Sequence, residues 1–177
     1  MKTGIFLSYK GLGTNILHLC YCHEIAKVFG PVEIVTLSNK FKDVVNDDPL
    51  IKKVIYLDKY YKRLLDINNL AKIFKQYEFN NLFIFYPSLR FFIAAKFAGI
   101  ENVFSYPFFK KKNLHLVNVA KKFVEKNLKI ENCPTEAKLF VSPQKKEIVL
   151  KKINKNMKNI IIGAGSSGPT TKWGELN

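Results

Sequence analysis

The chain has 177 residues, enough for one domain or for one domain and the start of another, which excludes a large multidomain machine. Hydrophobic residues make up 47% and aromatic residues 14%, so a sizeable core is available and intrinsic disorder is excluded. The net charge of +15 rests on 29 basic residues, all but two of them (Arg63 and Arg90) lysine, whereas readers of base edges and phosphates favour the bidentate arginine fork. No specific nucleic-acid partner is expected. The lysines fit a solvated surface or an anionic partner.

The three cysteines, Cys20, Cys22 and Cys133, are odd in number and lack disulfide-framework spacing, which fits a reducing cytoplasm. The apolar run after Met1 is broken by Lys10 and is too short for a signal peptide, and no stretch approaches the roughly 18–20 apolar residues of a membrane span. A cytoplasmic protein is expected.

The elements follow in chain order. Gly4–Tyr9 reads as a strand, Lys10–Gly13 as a glycine turn, and Thr14–Phe29 as one largely buried helix stopped by Gly30-Pro31. Val32–Leu37 is a second strand, which completes a βαβ unit and calls for parallel pairing with a right-handed crossover. Phe41–Val45 reads as a short helix, Lys53–Leu57 as a strand, Tyr61–Gln76 as a helix, and Asn81–Tyr86 as a strand. Leu89–Ala98 reads as a helix ended by Gly99, and Asn102–Ser105 as a fifth strand. Most strands are nearly continuous apolar runs, as expected of a sheet covered by helices on both faces.

An amphipathic helix is predicted over residues 114–128, a strand over Lys138–Val141, and a lysine-rich helix or linker over Pro143–Lys155. A new strand, Asn159–Ile162, then leads into a glycine-rich loop. The organisation read from this is an α/β, Rossmann-like doubly wound parallel sheet over 1–142, a linker helix over 143–158, and over 159–177 the first strand and loop of a further unit.

Gly11-Leu12-Gly13-Thr14-Asn15 follows the first strand, at the end of a parallel sheet where open α/β folds bind ligands. Two readings stand. The glycines bring backbone N–H groups close to a ligand, or they only make the turn while Thr14 caps the helix. The dinucleotide fingerprint is not met, because there is no third glycine and no acidic residue ends the second strand. His18, Cys20, Cys22 and His23 do not form a tetrahedral metal set and read as core, so no metal is expected. Asp43, Asp47 and Asp48 read as a solvated turn before Pro49.

The run G-L-G-T-N-I-L-H-L (Gly11 to Leu19) after G-I-F-L-S-Y resembles the opening of glycosyltransferase family 9, the ADP-heptose:lipopolysaccharide heptosyltransferases. N-N-L-F-I-F-Y-P-S-L-R-F-F-I-A-A-K-F-A-G-I-E-N-V-F-S-Y (Asn80 to Tyr106) is similar to that family's strand, loop, helix, "GI", strand. Leu114-His115-Leu116-Val117 resembles its "H-x-V" helix start, and I-I-I-G-A-G-S-S-G-P-T-T-K-W-G-E-L resembles the opening of its second domain. The resemblance spans essentially the whole chain. It implies a GT-B architecture, in which this chain is the N-terminal, acceptor-binding half plus the start of the nucleotide-sugar half.

The resemblance implies roles residue by residue. Gly11, Gly13, Asn15, His115, Lys111 and Lys112 fall where an anionic glycolipid acceptor is bound, and Ser166, Ser167, Thr170, Thr171 and Lys172 where donor phosphate is held. The family's aspartate base falls on Thr14, whose hydroxyl is no base near neutral pH, and His18 on the same helix face is the substitute to consider. The family lysine two residues before tryptophan falls on Thr171, with Lys172 beside Trp173 and Gly174 in place of proline. No counterpart of the later D-T-G-x-x-H segment is found.

The expected function is heptosyltransferase-type transfer, with inversion, from a nucleotide-sugar donor such as ADP-heptose to a lipopolysaccharide-type acceptor, without cofactor or metal. The chain would work in the cytoplasm or peripherally on the inner membrane, where Lys110–Lys112 and the following helix would meet an anionic surface. These residues by themselves are not expected to turn over donor. The alternative is a non-catalytic module that binds an anionic glycolipid or partners a separately encoded donor domain.

Overall fold

The computed structural model of the protein describes residues 1–58, 66–107, 115–153 and 158. Five parallel strands, β1 (Thr3–Leu7), β2 (Val32–Thr36), β3 (Ile51–Tyr56), β4 (Asn81–Ile84) and β5 (Asn102–Ser105), form one sheet in the order β3-β2-β1-β4-β5. Seven helices among the described residues connect and follow them: α1 (Leu12–Leu17), α2 (Leu19–Phe29), α3 (Phe41–Val45), α4 (Ile67–Gln76), α5 (Leu89–Phe97), α6 (Leu116–Leu128) and α7 (Pro143–Lys152). This is the α/β, Rossmann-like parallel sheet expected from the alternating pattern.

Every residue of β1, β2 and β4 is buried, because helices cover both faces. Alternate residues divide between two cores. Ile5, Leu7, Ile34 and Phe83 meet α2 and α6 through Leu19, Tyr21, Ile25, Phe123 and Val124. Phe6, Val35, Leu82 and Ile84 meet α4 and α5 through Leu70, Phe74, Phe91 and Ala94. Aromatic packing is dense in the first core: Phe83 stacks on Phe104 at 4.4 Å between centroids, and Phe85 meets Phe123 edge-on at 5.1 Å. The Tyr21 hydroxyl donates to the Val117 carbonyl at 2.9 Å, tying α2 to α6. The outer strand β3 carries exposed Lys52 and Lys53, charges that discourage another strand from pairing there.

Side chains also fix the register at the start of the sheet. Asn81 Nδ2 donates to Thr3 Oγ1 at 3.1 Å and Asn102 Nδ2 donates to Asn81 Oδ1 at 3.0 Å, a polar ladder across β1, β4 and β5. These are the residues paired in the backbone register, Thr3 with Asn81 and Asn81 with Asn102, so a slip of either strand would break the ladder.

The structure corrects several sequence expectations. Thr14–Phe29 is not one helix: α1 begins at Leu12, capped by Gly11 rather than Thr14, and the helix breaks at His18 before α2. Asp48 is not solvated. It is buried against α2, with His23 Nε2 donating to Oδ2 at 2.6 Å and the Leu50 N–H donating to Oδ1 at 3.0 Å. Lys138–Val141 forms no strand, since no sheet edge receives it, and α7 ends at Lys152 rather than Lys155. The early part of the predicted 61–76 helix and the Asn159–Ile162 strand lie outside the described residues.

The chain divides into two units, Met1–Phe140 and Val141–Asn177. The sheet and α1 to α6 belong to the first. In the second, α7 starts at Pro143 and is capped by Ser142, whose hydroxyl accepts from the Lys145 N–H. Among the described residues no helix is long and apolar enough to cross a membrane.

The tightest backbone approach is at Gly4, where a Cβ would sit 2.9 Å from the Phe79 ring. Gly4→Ala therefore overpacks a filled site in the central strand. It is expected to destabilise the protein by about 1–3 kcal/mol in urea unfolding, with Phe79→Leu in the same chain relieving much of the loss.

Candidate functional site

In the order β3-β2-β1-β4-β5 the chain runs outward from β1 through β2 to β3, then returns to the other side of β1 to place β4 and β5. The connections leaving β1 and β4 therefore diverge, and open α/β sheets bind ligands in the crevice at such a switch point. The loop after β1, the first turn of α1 and the residues after β4 and β5 lie at that end of the sheet.

Asn15 builds the loop. It is 0% exposed, and its Nδ2 donates to the carbonyls of Tyr9 (2.9 Å) and Gly11 (2.7 Å). Its Oδ1 accepts from Thr36 Oγ1 at 2.7 Å, and Thr36 Oγ1 in turn accepts from the Ser38 N–H at 3.1 Å. One side chain thus ties the turn after β1 to the end of β2. Asn15 shapes the loop from below.

Gly11, the N-cap of α1, and Gly13, in its first turn, are both exposed. Gly11 has an ordinary extended backbone, φ −68° and ψ 129°, and neither glycine is held at a positive φ. A Cβ on Gly13 would meet nothing within 4 Å, and one on Gly11 only Thr14 Oγ1 at 3.6 Å. The fold itself does not require glycine at either position. What glycine provides here is uncovered backbone at the carboxyl end of the sheet.

Thr14 is half-buried in the first turn of α1, and its hydroxyl makes no hydrogen bond among the described residues. Its carbonyl accepts from His18 Nδ1 at 2.7 Å. At the break between the helices the His18 backbone N–H bonds to Asn15, so the imidazole takes the Thr14 carbonyl that a continuous helix would have paired with that N–H. Because a carbonyl only accepts, Nδ1 carries the proton, and Nε2 accepts from the Tyr106 hydroxyl at 3.3 Å.

His18 also stacks on Tyr9 at 4.9 Å. It is 1% exposed, and burial lowers its pKa from the usual 6.5, against a smaller opposing effect of the Thr14 carbonyl. It is a neutral joint between the loop, α1 and the end of β5, out of reach of a substrate proton.

Around this joint, Tyr9 meets Tyr86 edge-on at 6.1 Å, which links the residues after β1 and β4. Burial, reinforced by Tyr86, raises the Tyr9 phenol well above its usual value and keeps it protonated. Ser8, just before Tyr9, is buried with its hydroxyl unpartnered among the described residues. Tyr9, Thr36 and Tyr106 were missed in the sequence. Their common signal is position, each lying at or just past the carboxyl end of a strand.

The remaining expected site residues lie apart or outside the description. His115 is the exposed N-cap of α6, its Nδ1 accepting weakly from the Val117 N–H at 3.4 Å. Lys111, Lys112, Ser166, Ser167, Thr170, Thr171 and Lys172 lie outside the described residues. No cluster of three or more His, Cys, Asp or Glu side chains that would hold a metal occurs among the described residues. Burial pushes the Cys20 thiol up to about 11 and Cys133 up to about 12, so both stay protonated and unreactive.

No protein-family model and no curated protein sequence matches the chain. Among solved structures it is similar to a glycosyl transferase of family 9 from Veillonella parvula, at 14% identity and a TM-score of 0.64, over 98% of this chain and 56% of that one. It is also similar to the ADP-heptose lps heptosyltransferase II of E. coli, at 10% identity and a TM-score of 0.59, over 86% of this chain and 50% of that one.

The chain has the fold of these glycosyltransferases. It spans about half the length of each, 50% of one and 56% of the other.

The joint at His18 generates two expectations. His18→Leu orphans the Thr14 carbonyl, which should cost about 1–3 kcal/mol in urea unfolding. Because the folded pKa of His18 is depressed, the unfolded chain binds its proton first as pH falls below about 6.5. That contribution to stability is complete above this pH and lost as pH falls toward the depressed value. His18→Gln should therefore lose less stability than the wild type between about pH 7.5 and about pH 5.5, compared by unfolding midpoints.

Proposed function

We propose that this chain forms the acceptor-side half of a glycosyltransferase of the heptosyltransferase type, which moves a sugar from a nucleotide-sugar donor to a lipopolysaccharide-type acceptor. The observation that carries the reading is the loop at the switch point, where two exposed glycines that the fold does not need lie over a rigid base of Asn15, Thr36 and His18. The likeness to family 9 structures supports the sugar-transfer chemistry, and the E. coli ADP-heptose lps heptosyltransferase II among them supplies the donor and acceptor classes.

In this reading the acceptor lies against the backbone of Gly11–Gly13, and a donor domain would close the other side of the crevice. The attacking hydroxyl must lose a proton as it bonds to the anomeric carbon. Thr14 sits nearest the base position of the resembling family, but a hydroxyl does not take that proton near neutral pH. His18, neutral and buried beneath the loop, does not reach it. Neither Thr14 nor His18 therefore supplies the base in this chain. A glycolipid acceptor would bring the protein to a membrane surface.

Gly13→Ala separates ligand approach from folding. Since the new Cβ meets nothing and alanine favours a helix over glycine by roughly 0.5–1 kcal/mol, thermal stability should hold or rise. Calorimetric affinity for delipidated, heptose-deficient lipopolysaccharide core should fall about tenfold or more, the equivalent of some 1.4 kcal/mol. Undiminished affinity in this variant, or no saturable binding by the wild type, would overturn the reading. Thr14→Asp should raise sugar transfer in the complete system toward the roughly 10²–10⁴-fold that a general base contributes, read as labelled sugar incorporated into the acceptor.

A further inference from the structure

A second concave site lies at the carboxyl end of β5, against α6. A cavity of about 350 Å³ opens between the end of β5 and one face of α6, lined among others by Ser105, Val119, Lys122, Phe123, Lys126 and Asn127. Lys122 and Lys126 stand one helical turn apart, so their ammonium groups converge on the same opening. Phe123 and Val119 give the wall an apolar stretch between them.

The charges of α6 are sorted around the helix. Its acidic residue, Glu125, accepts from the Cys133 N–H at 3.0 Å and pairs with Lys121 at 3.7 Å. Lys122 and Lys126, which line the cavity, have no carboxylate partner among the described residues. A concave basic pair without counter-charge concentrates anions, and low-dielectric walls strengthen the effect. Two neighbouring ammonium groups match the charge of a phosphate monoester better than that of a carboxylate, and lysine binds phosphate as a point charge without needing the planar fork of arginine. The cavity is larger than a phosphate, and its apolar wall suits the carbon skeleton that carries one.

We infer that this cavity is a binding site for an organic phosphate monoester, held by Lys122 and Lys126 with its carbon skeleton against Phe123. The site uses no residue of the glycine loop, so it stands whether or not the sugar-transfer reading holds.

The test is amide-shift titration of the 177-residue chain by NMR with glucose 6-phosphate and, separately, glucose. Vesicles of phosphatidylcholine with and without phosphatidic acid provide the lipid-borne phosphate, read by co-sedimentation. Saturable shifts at Ser105, Lys122, Lys126 and Asn127 with the phosphate ester and not with glucose would support a soluble ligand. Sedimentation that requires phosphatidic acid and Lys122 with Lys126, without response to glucose 6-phosphate, would support the same phosphate site with a lipid source.

In either arm Lys122→Gln with Lys126→Gln should weaken binding by about tenfold or more, the loss of one charge-assisted contact being worth some 1.5–3 kcal/mol. Lys72→Gln with Lys75→Gln, which removes equal charge from the exposed face of α4, should leave it unchanged. No saturable response in either arm, or equal weakening by the two double variants, would overturn the inference.

Discussion

A parallel sheet buried on both faces leaves its strands only one place to meet a ligand, at their ends. In this chain β1, β2 and β4 have no exposed residue. Helices α2 and α6 close one side and α4 and α5 the other, so polar side chains collect at the two rims of the sheet. At the starting rim they form the Thr3–Asn81–Asn102 ladder, which fixes register. At the finishing rim Asn15, Thr36, His18 and Tyr106 form a network whose outer surface is glycine. Both rims are polar, and the second carries exposed glycine beside its network.

That network depends on a helix that stops and restarts. A continuous helix from Leu12 to Phe29 would have satisfied the Thr14 carbonyl with backbone and left His18 without its inward role. The break lets a side chain take that carbonyl and carry the connection across to Tyr106, nearly ninety residues later in the sequence. The neutral imidazole suits this position because its two nitrogens differ, one donating and one accepting. Its hydrogen bonds therefore couple the orientation of the first turn of α1 to the end of β5.

Much of this architecture is legible in the sequence where local chemistry decides it. Phe41–Val45 and Asn102–Ser105 form over the expected residues, and α5 ends as expected before Gly99, which takes φ +80°. What could not be read depends on partners distant in the chain. Asp48 looks like a turn carboxylate until His23 meets it, and the break at His18 is hidden because apolar residues continue through it. Lys138–Val141 has the composition of a strand, but composition does not supply a neighbour. In the candidate site, the glycines and Asn15 were legible as a loop. Asn15's inward role was not, because Thr36 and the two carbonyls that consume its amide converge only in the folded sheet.

The contact of Gly4 with Phe79 reaches beyond either residue. A flat ring lying on a bare α-carbon in the central strand means that the two positions share one allotment of space. Among homologous chains they should trade volume, a side chain appearing at the first only where the aromatic has shrunk at the second. A pair so coupled marks descent within this fold more durably than the variable polar surface.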